Sequence, residues 1–254
     1  MSTQEVLQAR DVQVHFEGVK AVDGVDLSVG AGEILGLIGP NGAGKTTLVN
    51  ALTGFQRPTA GQVQMGDSDI TGWPAHKRAR NGLTRTFQNI RLFPSLTVLE
   101  NIEAAAVAVG MRRKAALARA WEVLEHLQLA ERAHFRAEAL SAGEERRVGI
   151  ARAVATGPRF LMLDEPAAGL NEAESDELSE ALRELRQTFR YGFVVIEHDM
   201  RVIMTLCDRV QVLDYGKTIA VGTPAEIQQS EAVLTAYLGT AVTGGGKGAD
   251  APDR

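Results

Sequence analysis

The sequence predicts an α/β fold made of a phosphate-loop core, an N-terminal antiparallel β subdomain and an inserted α-helical subdomain. Three observations carry that prediction. The apolar run EILGLI leads into the glycine-rich GPNGAGKTT, residues 39–47, and then into LVNALTG, giving strand, loop and helix in that order. Two later apolar runs, RFLMLDEP and YGFVVIEHD, read as buried strands that end on polar residues. Before them, from about residue 92 to residue 156, the chain is rich in Ala and Leu at helical spacing and poor in turn residues.

Taken in order, VLQARDVQVHF reads as strand, turn and strand, with Val12, Val14 and Phe16 alternating onto one buried face. AVDGVDLSVGAGE continues as a strand and turns at Gly30 and Gly32 into the phosphate-loop strand. GQVQMGDSDI is a short strand pair with its turn at Gly66 and Asp67. TVLENIEAAAVAVG and RRKAALARAWEVLEHLQLAERA supply the inserted helices. Beyond the strand RFLMLDEP, NEAESDELSEALRELRQTF is a helix with acids gathered at its N-terminal end, where the dipole favours them. The strand YGFVVIEHD, the helix MRVIMTLCD and a hairpin turning near Tyr215 and Gly216 follow. Short helices close the domain, with Thr223 as N-cap and Pro224 in the first turn. The domain is expected to span residues 5–239. The Gly-rich, polar tail over 240–254 is expected to be disordered.

Composition narrows the classes. Hydrophobic residues make up 44% and charged residues 23%, the balance of a soluble globular protein. The net charge of −5 argues against a chain that wraps nucleic acid, which carries a basic excess. The single cysteine, Cys207, lies in an apolar stretch; it excludes an internal disulfide and fits a reducing compartment. No apolar run reaches the ~18–20 residues that span a bilayer, and the N-terminus lacks a secretory signal. The expectation is a cytoplasmic protein whose membrane part, if it has one, comes from other chains. His15, His76, His126 and His134 lack metal-ligand spacing, Trp73 and Trp121 read as packing residues, and HKRAR reads as a solvated helix face.

The chemistry concentrates on GPNGAGKTT. Gly39, Gly44, Lys45 and Thr46 fit the G-x-x-x-x-G-K-[ST] pattern. Glycines let successive backbone N–H groups point inward at phosphate oxygens, and the next helix presents the positive end of its dipole to the same anion. Lys45 then reaches the β- and γ-phosphates, and the Thr46 hydroxyl suits Mg²⁺, a hard cation that prefers oxygen. Asp164 and Glu165 stand at the end of their apolar strand, placed to hold Mg²⁺ and to polarise an attacking water. In LSAGE, Ser141 and Gly143 open an Arg-rich helix and form a possible second anion site. Glu144, three residues after Ser141, equally makes this an ordinary capping box.

The order of these segments resembles the ATP-binding subunits of ABC transporters, and the resemblance covers nearly everything from residue 5 to residue 239. GPNGAGKTT matches the Walker A motif, TFQNIRLFP supplies Gln88 as the Q-loop glutamine, and FLMLDEP matches Walker B. LSAGE matches the signature LSGGQ with Ala142 and Glu144 as departures, while Ser141 and Gly143 are retained. AAGLN matches the D-loop with Asn171 in place of Asp, and IEHD supplies His198 as the switch histidine. Phe16 falls where an aromatic ring stacks on adenine.

The resemblance implies ATP and Mg²⁺ as ligands, held by Gly39, Pro40, Asn41, Gly42, Ala43, Gly44, Lys45, Thr46 and Thr47, with Thr46, Gln88 and Asp164 toward the metal. It implies Glu165, His198 and Lys45 as the catalytic groups. It also implies a head-to-tail dimer, homo- or heterodimeric, in which Ser141 and Gly143 of one chain close on the nucleotide of the other. Two transmembrane permease subunits and, indirectly, a periplasmic or lipid-anchored solute-binding protein complete such a system. The chain itself would sit peripherally on the cytoplasmic face of the inner membrane.

RTFQNIRLFPSLTVLENI, MLDEPAAGLN, the stretch from VIEHD to TPAEI and the ending VLTAYLG are similar to the subgroup that imports branched-chain amino acids. Urea or amide importers and the lipopolysaccharide exporter stand nearby. A soluble ABC ATPase of DNA repair or translation would bring tandem domains or a long coiled coil. A phosphate-loop kinase or GTPase would lack LSAGE ahead of Walker B.

Overall fold

The computed structural model describes residues 5–88 and 90–243. In chain order its elements are β1 (Val6–Phe16), β2 (Val19–Gly30), β3 (Ile34–Ile38), α1 (Lys45–Thr53), β4 (Ala60–Met65), β5 (Ser68–Asp69), α2 (Ala75–Arg80), β6 (Leu83–Arg85), α3 (Val98–Ala108), α4 (Arg113–His126), α5 (Ala142–Ala155), β7 (Phe160–Asp164), α6 (Glu172–Phe189), β8 (Gly192–Ile196), α7 (Met200–Leu206), β9 (Arg209–Asp214), β10 (Lys217–Gly222), α8 (Pro224–Gln228) and α9 (Glu231–Thr243). Short 3-10 turns at Ala130–Arg132 and Ala137–Ala139 join α4 to α5.

The strands make two sheets. β2, β1, β4 and β5 form an antiparallel sheet. The second sheet has the order β10-β9-β3-β8-β7-β6, all parallel except β10 at one edge. Its strands β3, β7 and β8 are buried at every position, because alternate residues feed different cores. Ile34, Leu161, Leu163, Phe193 and Val195 pack with α3 to α7. Leu35, Leu37, Phe160, Met162 and Val194 pack with α1 and the antiparallel sheet. The phosphate loop leaves β3 at the middle of this sheet, and the acids of β7 leave from the strand beyond β8.

Two sequence expectations are corrected. VLQARDVQVHF is one strand, not two. A bulge at Asp11 (φ 45°), whose N–H donates to Asp26 Oδ1 at 2.8 Å, shifts the register between Ala9 and Val12. The bulge changes the phase of alternation, so Leu7 and Ala9 before it and Val12 and Val14 after it face the same core.

HKRAR lies on α2, but its face is not wholly solvated. Arg78 is 1% exposed, and its guanidinium donates to the carbonyls of Ala51 (2.8 Å), Leu52, Thr71 (2.9 Å) and Trp73 (2.9 Å). It thereby satisfies carbonyls of the last turn of α1, where the helix dipole favours a cation. The last helix, α9, runs to Thr243, past residue 239. Residues 244–254, most of the tail, lie outside the described residues.

Several helices begin where sequence chemistry caps them. Capping boxes stand at Thr97 with Glu100, Ser141 with Glu144, Asn171 with Glu174, and Thr223 with Glu226. Asn171 is therefore occupied as the N-cap of α6. No helix of the described residues is long and apolar enough to cross a membrane.

Candidate nucleotide and hydrolysis site

The phosphate loop is shaped by two close backbone approaches. Gly39 has φ 149°, and a Cβ there would lie 2.1 Å from the Leu213 carbonyl on β9. Gly44 has φ 100°, and a Cβ there would lie 2.3 Å from the Ala21 carbonyl on β2. Only glycine fits both conformations and both spaces. The loop is tied to the β9–β10 turn by the Gly216 N–H, which donates to the Ala43 carbonyl at 3.0 Å. Gly44 itself is the N-cap of α1 and makes no side-chain cap, so the first N–H groups of α1 face the loop rather than a capping oxygen. Pro40 and Ala43 are buried, Asn41, Gly42 and Thr46 are exposed, and Thr47 is half-buried.

Lys45, buried, donates to the Gly39 carbonyl at 2.7 Å and the Pro40 carbonyl at 2.9 Å. Burial pushes its pKa down, and Glu165 and Asp164 pull it back up. A cation thus sits at the centre of the loop, within the field of both acids.

At the end of β7, Asp164 accepts from Arg85 Nη2 at 2.9 Å, and its N–H donates to Thr86 Oγ1 at 3.1 Å. Arg85 also donates to Asn50 Oδ1 of α1 at 2.5 Å. Burial raises the Asp164 pKa, and Arg85 opposes that rise. Arg85 lies on β6, whose three residues are too few to show a period in the sequence.

Glu165 collects the rest of the site. It holds φ 49°, an uncommon conformation for a residue with a side chain. Its N–H donates to the Ile196 carbonyl at 2.9 Å, and its own carbonyl accepts from Arg146 of α5 at 2.6 Å. Its carboxylate is shared: Oε2 accepts from Gln88 Nε2 at 2.9 Å, and Oε1 meets His198 Nε2 at 2.9 Å. Three residues from three distant segments therefore meet on one carboxylate. Glu197, 4% exposed, is a third acid that motif spacing does not single out. Its Oε1 accepts from the Ala167 N–H at 2.7 Å and its Oε2 from the His198 N–H at 3.1 Å.

Other expected residues stand apart. Ser141 caps α5, its Oγ accepting from the Glu144 N–H at 3.3 Å while Glu144 accepts from the Ser141 N–H at 2.9 Å. Glu144 also pairs with Arg132 at 2.6 Å. Gly143 approaches Leu170, where an added Cβ would lie 3.1 Å from Cδ2. Among the described residues neither Ser141 nor Gly143 bonds to the phosphate loop of its own chain. Phe16 ends β1 with its ring half-exposed, opposite Val19. Of the remaining histidines, His126 meets Glu184 at 2.9 Å and His134 packs edge-on to Trp121.

The ABC transporter family model matches residues 22–168, and the model for the branched-chain amino acid ATP-binding cassette transporter matches residues 217–243. The chain is 40% identical to the high-affinity branched-chain amino acid transport ATP-binding protein BraF of Pseudomonas aeruginosa, over 94% of this chain and 100% of that protein. It is 42% identical to the corresponding protein LivG of Escherichia coli K12, with the same 94% and 100% coverage. The lipopolysaccharide export system ATP-binding protein LptB of Escherichia coli K12 is 36% identical, over 92% of this chain and 97% of that one. An ATP-binding cassette of an ABC transporter, solved in its ADP conformation, matches with TM-score 0.85 at 30% identity, over 93% of this chain and 100% of that one. A bacterial ABC transporter cassette solved as a dimer matches with TM-score 0.77 at 26% identity, over 86% and 98%. Site geometry, family match and relatives agree: this chain belongs to the ATP-hydrolysing, ATP-binding subunits of ABC transporters.

Proposed function

We propose that the chain powers a bacterial ABC importer of branched-chain amino acids or similar small polar solutes. The observation that carries the hydrolytic half is the Glu165 carboxylate, held between Gln88 and His198 beyond a buried loop lysine. The substrate half rests on the match over residues 217–243 and on the names of the relatives.

The residues fit ATP with Mg²⁺. Glycines at 39 and 44 hold the loop open against neighbouring carbonyls, and the metal-facing donors are oxygens: the Thr46 hydroxyl, the Asp164 carboxylate and the Gln88 amide oxygen. Gln88 turns its amide nitrogen to Glu165, which leaves that oxygen as its ligand atom. Bound Mg²⁺ would neutralise charge on the phosphates. Lys45 exchanges the Gly39 and Pro40 carbonyls for β- and γ-phosphate oxygens, a stronger charge-assisted bond. Glu165 orients the attacking water and accepts its proton, and His198 steadies that carboxylate and the γ-phosphate. Phe16 stacks on the adenine. Ser141 and Gly143, which among the described residues make no hydrogen bond to their own loop, serve the nucleotide of a second, head-to-tail ATP-binding subunit.

A cavity of about 690 Å³, lined by Gln88, Ile90, Ala105, Arg146 and Arg152 among others, opens between the core and the helical subdomain beside Gln88. We assign it to a cytoplasmic segment of one of two transmembrane permease subunits. The chain then lies peripherally on the cytoplasmic face of the inner membrane, and an external solute-binding protein delivers the cargo. Nucleic acid has no part in this scheme.

Glu165→Gln is expected to bind ATP while turnover falls about 10²–10⁴-fold. Lys45→Ala is expected to weaken nucleotide binding roughly tenfold or more. Both are read by equilibrium binding and phosphate release. Turnover near wild type in Glu165→Gln would remove the base assignment. Co-purification of multi-span membrane proteins supports the importer reading, whereas ribosomes or DNA in their place would overturn it.

A further inference from the structure

Glu197 is a buried acid, and among the described residues no cation is bonded to it. Each carboxylate oxygen instead accepts a backbone N–H from a different loop: Ala167 at 2.7 Å and His198 at 3.1 Å. Burial pushes the Glu197 carboxyl up and these donors pull it down. An acid kept under those conditions calls for a reason, because burying a carboxylate is costly unless its oxygens are satisfied.

The reason lies in what the two loops carry. Ala167 stands two residues after Glu165, across Pro166, and His198 is the next residue along from Glu197. His198 Nε2 meets Glu165 Oε1 at 2.9 Å. The contacts therefore close a ring: Glu165 along the chain to Ala167, across to Glu197, along to His198, and back to Glu165 through the imidazole. Glu165 holds φ 49°, a conformation that persists only where its surroundings enforce it. The Ala167 bond is one of those restraints, together with the bonds from Arg146 and to Ile196.

We propose that Glu197 is a positioning residue for hydrolysis, clamping the turn after Glu165 and the backbone of His198 in one register so that the imidazole and the carboxylate stay in contact. Only a carboxylate does this. Both oxygens must accept, and the amide nitrogen of a glutamine would face an N–H with another N–H. The proposal rests on the hydrolytic reading of Glu165 and His198 given above.

The test compares the full-length wild type, Glu197→Gln and Glu165→Gln with Mg·ATP, reading kcat, KM for ATP and amide hydrogen exchange. In Glu197→Gln, kcat is expected to fall on the order of 10²-fold with KM unchanged, as for a misplaced reacting group. The Ala167 and His198 amides are expected to lose protection while β3 and β8 keep theirs. Wild-type kcat with both amides still protected overturns the clamp. So does a joint collapse of kcat, KM and core protection, which marks a role in folding alone. If Glu197→Gln does not fold, Glu197→Asp, charged but one methylene short of spanning both amides, is read in the same way. The two readings fail separately: wild-type turnover in Glu165→Gln sinks the hydrolytic reading, whereas the amide response at Ala167 and His198 reports on the clamp whatever that turnover is.

Discussion

At the scale of single residues, Glu144 shows how a departure from a motif is absorbed. The common signature carries a neutral glutamine there, and this chain carries a charge. The Ser141 N–H and Arg132 together hold the Glu144 carboxyl below the ordinary carboxylate range. An acid whose folded pKa lies below its unfolded one contributes stability at pH above the unfolded value and loses it as pH falls through the folded value. Glu144→Gln keeps the capping box but loses the charge. The melting temperature of the wild type should exceed that of Glu144→Gln most at about pH 7, and the gap should close toward about pH 3. A gap that stays constant over that range contradicts the account. Asp164 and Glu197 act with the opposite sign, since burial raises both and acid relieves their cost. Comparing wild type with variant cancels them.

Among elements, α2 matters through one side chain. Arg78 joins the last turn of α1 to the loop before α2, with burial pushing its pKa down to about 10. Arg78→Met would leave several buried carbonyls unmatched and is expected to cost roughly 2–4 kcal/mol in urea unfolding. Arg78→Lys should recover only part of that, because a single ammonium cannot reach all four carbonyls. Equal stability of Met, Lys and wild type would show that water replaces the guanidinium freely. The phosphate loop makes the complementary case, where what matters is the lack of a side chain. Gly44→Ala would press a methyl onto the Ala21 carbonyl, so nucleotide binding should be lost while the parallel sheet persists.

For the whole molecule, the helical subdomain is fastened to the core along α6 and the strand start after it. Arg119 of α4 donates to Tyr191 Oη and to the Val154 carbonyl and lies 4.3 Å over the Phe189 ring. Arg147 of α5 meets Glu177 at 2.5 Å, and His126 of α4 meets Glu184 at 2.9 Å. Tyr191→Phe removes one acceptor from a partly buried guanidinium. About 1 kcal/mol of stability should go with it, and amide exchange should quicken in α4 and α5 before β3 or β8. Uniform acceleration across all elements would show that the two parts unfold as one. The cavity beside Gln88 lies between these parts, so the permease segment proposed for it would touch both at once.

What the sequence determined by itself is what short-range chemistry dictates. Strand, glycine loop and helix follow from GPNGAGKTT and its neighbours, because φ preference, polarity and spacing act within a few residues. The capping spacing that marks α5 and α8 stands equally at Thr97–Glu100 and Asn171–Glu174, where it starts α3 and α6. Gln88, Glu165 and His198 could each be named from their motifs, in the order in which the chain carries them. Only the tertiary structure decided that they share one carboxylate, since strand order in the parallel sheet sets β7 against β8. The bulge at Asp11, the burial of Arg78 and the partners of Arg85 and Glu197 were likewise decided there. Each depends on contacts between residues far apart in sequence, and no local pattern encodes which backbone group a long polar side chain will find once the layers close.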